Sequence, residues 1–181
     1  MKSASAEHVM QLDANDFALF GLPERQALER ALVDERWKAL QGQVHPDRHA
    51  AAGAAAQRVA MQWAVRVNEA YQRLKDPLRR ATYLCELHGQ HLDPHSNTAM
   101  PPAFLMQQMH LRESLEEAKT SAAVQALEDE VSAMRRDMLA DIERRIDRDA
   151  DWAGAAELVR ALMFIERFAS DVDARLEALG Q

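Results

Sequence analysis

Apolar residues along this chain recur every three or four positions and almost nowhere alternate with polar ones. The first spacing lines one face of a helix, whereas alternation would line one face of a strand. In residues 16–23, Phe17 and Phe20 stand three apart and the pattern stops at Gly21-Leu22-Pro23. Val33, Trp37, Leu40 and Val44 then follow 4-3-4 spacing and predict a helix over roughly residues 24–44. Pro46 ends it, because proline lacks the backbone donor and pushes the preceding residue out of helical dihedrals. Beyond a loop with Gly53, Val59, Trp63, Val67, Ala70 and Leu74 repeat the stripe, with Tyr71 beside it, up to Asp76-Pro77. A short helix over about 78–88 follows, with Gly89 suited to its C-terminal cap.

Residues 89–101 are polar, contain two prolines and have no period, so they read as a linker. Three more helices fit beyond it, at about 102–118, 121–149 and 152–179, with Pro102 in the first turn of one and Ser121 and Asp151 as caps of the others. In the last, Leu158, Leu162, Ile165, Ala169, Val172, Leu176 and Leu179 alternate spacings of 4 and 3. Such a seam needs helical partners, so the expected fold is all-α, with a second half that closes as a three-helix bundle.

Composition narrows the function. The 181 residues carry 22 Lys+Arg and 29 Asp+Glu, a net charge of −7, which argues against a nucleic-acid surface spread over the chain. The charge is uneven: residues 1–88 hold 12 basic and 11 acidic side chains, residues 89–181 hold 10 and 18. A net of +1 followed by −8 points to two units with different partners. No apolar run approaches the ~18 residues of a membrane span, and the N-terminus has no secretory h-region, so a cytoplasmic location is expected. The lone Cys85 excludes an intramolecular disulfide and an all-cysteine zinc site, and is expected to be packed in its helix. There is no Gly-rich phosphate loop and no H-E-x-x-H motif.

The most specific local feature is His45-Pro46-Asp47-Arg48, placed between two long amphipathic helices. Pro46 stiffens the turn and leaves His45, Asp47 and Arg48 projecting from it, none of them on an apolar stripe. An isolated tripeptide of this kind is as readily a helix-terminating turn, and it is the flanking pattern that makes it a functional one. His45 and Asp47 are two members of a nucleophile-activating set, but no Ser or Cys lies near them in sequence, so a protein contact surface is the better reading. No catalytic residue, cofactor or metal site is expected. A second candidate lies in the helix at 102–118. Phe104, Leu111, Leu115 and Ala118 share one side, while Leu105, Met106 and Met109, with Glu113 and Glu117, lie roughly opposite. That second face is either buried against the first domain or exposed as an apolar surface rimmed by carboxylates, as suits protein binding. Phe164 precedes Ile165 of the seam and points about 100° away from it, to flank the core or join that face.

The order of short helix, long helix, His-Pro-Asp loop, long helix and short helix resembles the J-domain of Hsp70 co-chaperones. The resemblance implies that His45, Pro46 and Asp47 stimulate ATP hydrolysis by an Hsp70. Asp47 and Arg48 would make charge-assisted contacts to it, helped by Lys38 and Arg36 on the preceding helix. Phe20-Gly21-Leu22-Pro23, the run from Leu74 to Ala81, Tyr83-Leu84, Leu87-His88-Gly89, the run from Phe104 to Met109 and Leu111-Arg112-Glu113 extend the likeness, over about residues 15–179, to the HscB family of iron–sulfur cluster assembly. That family resemblance implies a tail at 1–14, a J-domain at 15–88, a linker at 89–101 and a scaffold-binding bundle at 102–181. The partners it implies are an HscA-type Hsp70 and an IscU-type scaffold, with the chain itself a monomer or weak homodimer. The scaffold face it implies comprises Leu105, Met106, Met109, His110, Glu113, Glu117 and Phe164. Gln107 and His110 stand where acids are frequent in the family, and His110 would make scaffold affinity sensitive to pH. Two other readings are a J-protein of a general Hsp70, and a metal carrier using His88, His91 and His95 with Asp93, a spacing that matches no tight site.

Overall fold

A computed structural model describes residues 13–92 and 100–180, and every regular element among them is helical. The chain divides into two compact units, residues 1–79 and 80–181.

In the first unit, α1 (Asp16–Phe20) begins where the Asn15 side chain accepts the Ala18 N–H at 2.9 Å. It ends at Gly21, whose left-handed φ of 62° suits a residue without Cβ. Phe17 and Phe20 are buried. The second helix, α2, spans Arg30–Val44 and not the whole of 24–44. Residues before it are held out of helical form by side chains: Asn15 donates to Glu24 Oε1, and the buried Gln26 donates to the Pro77 carbonyl at 2.9 Å. The loop after α2 is itself regular, a 3-10 turn Pro46–Ala52 that passes into Gly53 at φ 91°.

The long helix α3 (Ala54–Lys75) packs on α2 through Val67, Ala70 and Leu74, facing Val33, Leu40 and Val44. Val59, first in the expected stripe, is 52% exposed. At 22 residues against 15, α3 outruns α2, so its first turns have no opposite helix to cover them. Asp16 is fully buried, with Arg66 Nη1 2.6 Å from Oδ1 and Arg73 donating to both carboxylate oxygens. Both arginines come from α3, so this cluster ties α1 to it.

The helix α4 (Pro77–Leu87) runs from the first unit into the second, where Arg80, Ala81, Leu84 and Cys85 are buried. In the second unit α5 (Pro102–Glu117), α6 (Ser121–Arg144) and α7 (Trp152–Gly180) follow, with α6 and α7 forming the main helical hairpin. The α6 cap is Thr120, whose hydroxyl accepts the Ala123 N–H, in place of the expected Ser121. The end of α6 widens into a π-helical turn, Arg145–Asp149, and Ala150 takes a left-handed φ of 49°. Asp151 caps α7 as expected, accepting the Gly154 N–H at 2.9 Å. The buried line of α7 is Ala155, Val159, Leu162, Ile165, Phe168 and Val172. Of the expected seam, Leu158, Ala169, Leu176 and Leu179 are half-buried and the other three residues are buried. Arg135 of α6 donates twice to Glu166 of α7 across the hairpin. Among the described residues, no helix is long and apolar enough to cross a membrane.

Candidate functional site

The His-Pro-Asp turn is built by the abrupt end of α2. His45 leaves helical dihedrals with ψ 125°, and Pro46 opens the 3-10 turn. The His45 carbonyl accepts the Arg48 N–H at 3.0 Å, and His45 Nδ1 accepts the Asp47 N–H at 3.3 Å. Asp47 Oδ2 lies 3.6 Å from the same nitrogen. Neutral His45 can therefore accept the amide, while only the imidazolium can pair with the carboxylate. The His45 and Asp47 side chains are 55% and 91% exposed. Arg48 does not project freely as expected. Its Nη1 donates to the Gly42 carbonyl and so satisfies one of the orphan acceptors that end α2.

Lys38 and Arg36 are both exposed on α2. At ~100° per residue Lys38 stands on the side of His45, two turns before it, whereas Arg36 is ~200° from Lys38. The structure thus aligns only Lys38 with the turn. Beneath them Trp37 stacks on Tyr71 with centroids 4.6 Å apart, and Trp37 Nε1 and the Gln41 amide both donate to Asn68 Oδ1. Arg30 and the Tyr71 hydroxyl donate to Asp34 at 2.8 and 2.9 Å, which holds its carboxyl below the usual carboxylate range. This polar clamp fixes the α2–α3 hairpin and so the position of the turn. Beside the turn, Gln43, Val44, Val59, Ala60 and Trp63 line a groove of ≈470 Å3, which periodicity alone did not reveal because it assigned Val59 to the core.

In the second unit, α5 has two faces. Leu111 and Ala118 are buried and Phe104 and Leu115 half-buried, while Leu105, Met106 and Met109 are 40%, 71% and 62% exposed. His110, Glu113 and Glu117 are exposed along the same helix. Phe164 of α7 is half-buried: its ring meets Phe104 edge-on at 5.9 Å, stacks on Phe168 at 6.1 Å and lies under the Arg112 guanidinium at 5.7 Å. It therefore braces the flank of α5 where Arg112 and, about 20° round the helix, Leu105 stand. Phe104 and Arg112 were missing from the sequence-based site because one reads as core and the other as a solvated charge.

The cysteine and histidines complete the inventory. Cys85 is buried, and desolvation, opposed by Arg160, pushes its thiol up to about 11, so it is protonated at neutral pH and no nucleophile. His88 Nδ1 lies 2.9 Å from the Leu84 carbonyl and its ring stacks on Trp152, while the His91 carbonyl accepts from Arg160. His95 and Asp93 lie outside the described residues. Among the described residues no group of three or more His, Cys, Asp or Glu side chains is placed to hold a metal ion.

Residues 100–173 match the family model described as the HSCB C-terminal oligomerisation domain. A co-chaperone protein HscB homolog of Burkholderia multivorans is 52% identical over 174 residues, covering 94% of this chain and 99% of that protein. The chain belongs to the HscB co-chaperone family. Its HscB homolog in Burkholderia thailandensis is 50% identical over the same length. The chaperone HscB from Vibrio cholerae superposes with a TM-score of 0.81 at 39% identity, over 92% of this chain and 99% of that one. Human co-chaperone protein HscB shares the fold, with a TM-score of 0.86 at 24% identity over 93% and 84% of the two chains. HscB membership makes the chain a co-chaperone and agrees with its all-helical fold.

Proposed function

We propose that this co-chaperone serves iron–sulfur protein maturation in the cytoplasm as an adaptor between an HscA-type Hsp70 and an IscU-type scaffold. Residues 15–88 act as the J-domain, 89–101 as linker and 102–181 as the scaffold-binding bundle, with 1–14 as a tail. His45, Pro46 and Asp47 engage the Hsp70 and accelerate its ATP hydrolysis. Lys38 supplies positive charge on the same side, Arg36 adds to the basic charge of α2 from its opposite face, and Arg48 holds the turn against α2 while keeping its charge at the contact. Leu105, Met106 and Met109 receive the scaffold, rimmed by His110, Glu113 and Glu117, with Phe164 bracing α5 from below. Any bond-breaking belongs to the Hsp70.

The observation that carries this reading is the exposed Leu105/Met106/Met109 face in a chain that also presents the His45–Asp47 turn. Buried apolar contact in a dry interface centre is the main source of binding energy, and Leu105, Met106 and Met109 are left exposed among the described residues. The test is steady-state ATP turnover by the Hsp70 with scaffold alone, with this chain added, and with His45→Gln. The wild-type chain stimulates turnover and His45→Gln loses nearly all of that stimulation. No stimulation by the wild-type chain refutes the proposal.

A further inference from the structure

We propose that Met106 and Met109 are a reversible oxidation site, at which a peroxide converts both thioethers to sulfoxides and so releases the scaffold from α5. Among the described methionines of the second unit these two are exposed, at 71% and 62%, while Met100, Met134, Met138 and Met163 are half-buried. Cys85, the single thiol of the chain, is buried in α4. Oxidation of sulfur follows exposure and, for cysteine, thiolate character, so an oxidant reaches the α5 thioethers before the cysteine.

Their placement decides what the modification does. At ~100° per residue Met109 stands between Leu105, about 40° to one side, and Met106, about 60° to the other, and so at the centre of the apolar face. In the reaction a sulfur lone pair attacks one oxygen of hydrogen peroxide and the O–O bond breaks. That oxygen stays on Sδ, and the other leaves as water with both hydrogens. Each sulfur is oxidised by two electrons, and the peroxide is reduced by the same two. The thioether is a polarisable apolar group, whereas the sulfoxide is a dipole with a strong acceptor oxygen. A dry interface centre admits that oxygen only with a donor opposite it. The polar side chains of α5 within about 40° of Met109 are Glu113 and Glu116, whose carboxylates only accept hydrogen bonds. The Arg112 guanidinium lies over the Phe164 ring at 5.7 Å. A thiol-dependent reductase reverses the change, removing the oxygen as water while two thiols become a disulfide.

The oxidation site stands on the exposure and placement of the two methionines; the release rests on the scaffold reading above. The full chain is treated with hydrogen peroxide, freed of it with catalase, mapped by peptide mass and titrated with an IscU-type scaffold in calorimetry. Met106 and Met109 each gain one oxygen before Met134, Met138 or Met163 does. Scaffold affinity then falls at least about tenfold, and a reductase with a dithiol restores it. Circular dichroism is unchanged, because both side chains are exposed. Met61, exposed on α3, is separated by Met61→Leu, which loses affinity on treatment as the wild type does. A chain carrying both Met106→Leu and Met109→Leu keeps its own starting affinity through the treatment, because leucine has no sulfur to oxidise. Half-buried methionines that oxidise first overturn the site. Sulfoxide at both positions with affinity unchanged overturns the release, as does an equal loss in the doubly substituted chain. An untreated chain that does not bind scaffold overturns the scaffold reading and the release with it, while the order of oxidation in the same maps still supports the site.

Discussion

Asp16 carries an ionised group into the interior of the first unit, where it is stable only while Arg66 and Arg73 hold it. Asp16→Ala removes the carboxylate that Arg66 and Arg73 share in the interior, and costs about 3 kcal/mol. Urea unfolding of the full chain, followed by tryptophan fluorescence, measures the loss. Spacing placed Phe17 and Phe20 on one helical side, and both are buried, but it was silent on Asp16, which looks like any first-turn acid until α3 brings its arginines alongside. Arg48 is a similar case. Its place after the His-Pro-Asp tripeptide predicts a projecting charge, while its bond to the Gly42 carbonyl makes it a brace. The exposure of His45 and Asp47 was legible because neither lies on an apolar stripe.

Helix ends are where local sequence and tertiary context compete. Asp151 caps α7, and the Gly154 N–H together with Arg145 hold its carboxyl below the ordinary range. A depressed folded value means that its contribution is present above the ordinary carboxylate range and is lost as pH falls through the folded value. Asp151→Ala is therefore less stable than wild type at neutral pH, and the difference shrinks as pH falls through and below the carboxylate range, as helicity melts at a series of pH values will show. The cap of α6 illustrates the opposite outcome. Thr120 and Ser121 are both capping residues, and one-residue choices between them depend on chain direction into the helix. The late start of α2 was hidden for a comparable reason, since residues 24–29 contain no glycine or proline after Pro23 and yield to the hydrogen bonds of Glu24 and Gln26.

At the scale of the molecule, the His45–Asp47 turn and the α5 face belong to different compact units. Their activities therefore separate. Leu105→Ala with Phe164→Ala weakens scaffold binding by at least tenfold in calorimetry, and leaves scaffold-free stimulation of the Hsp70 close to wild type. The double substitution removes the exposed leucine and the ring beneath Arg112, both outside the first unit. Loss of both activities together would show that the two units act as one. The chain by itself determined the all-helical class, the order of helices, the turn and the two-faced α5, because spacing of apolar residues and proline positions act within one element. Tertiary packing decided the rest. It buried Asp16 between two arginines, drew Arg48 back to α2, exposed Val59 and set Phe164 under Arg112. Each of these depends on which groups distant segments bring together, and neither periodicity nor composition carries that information.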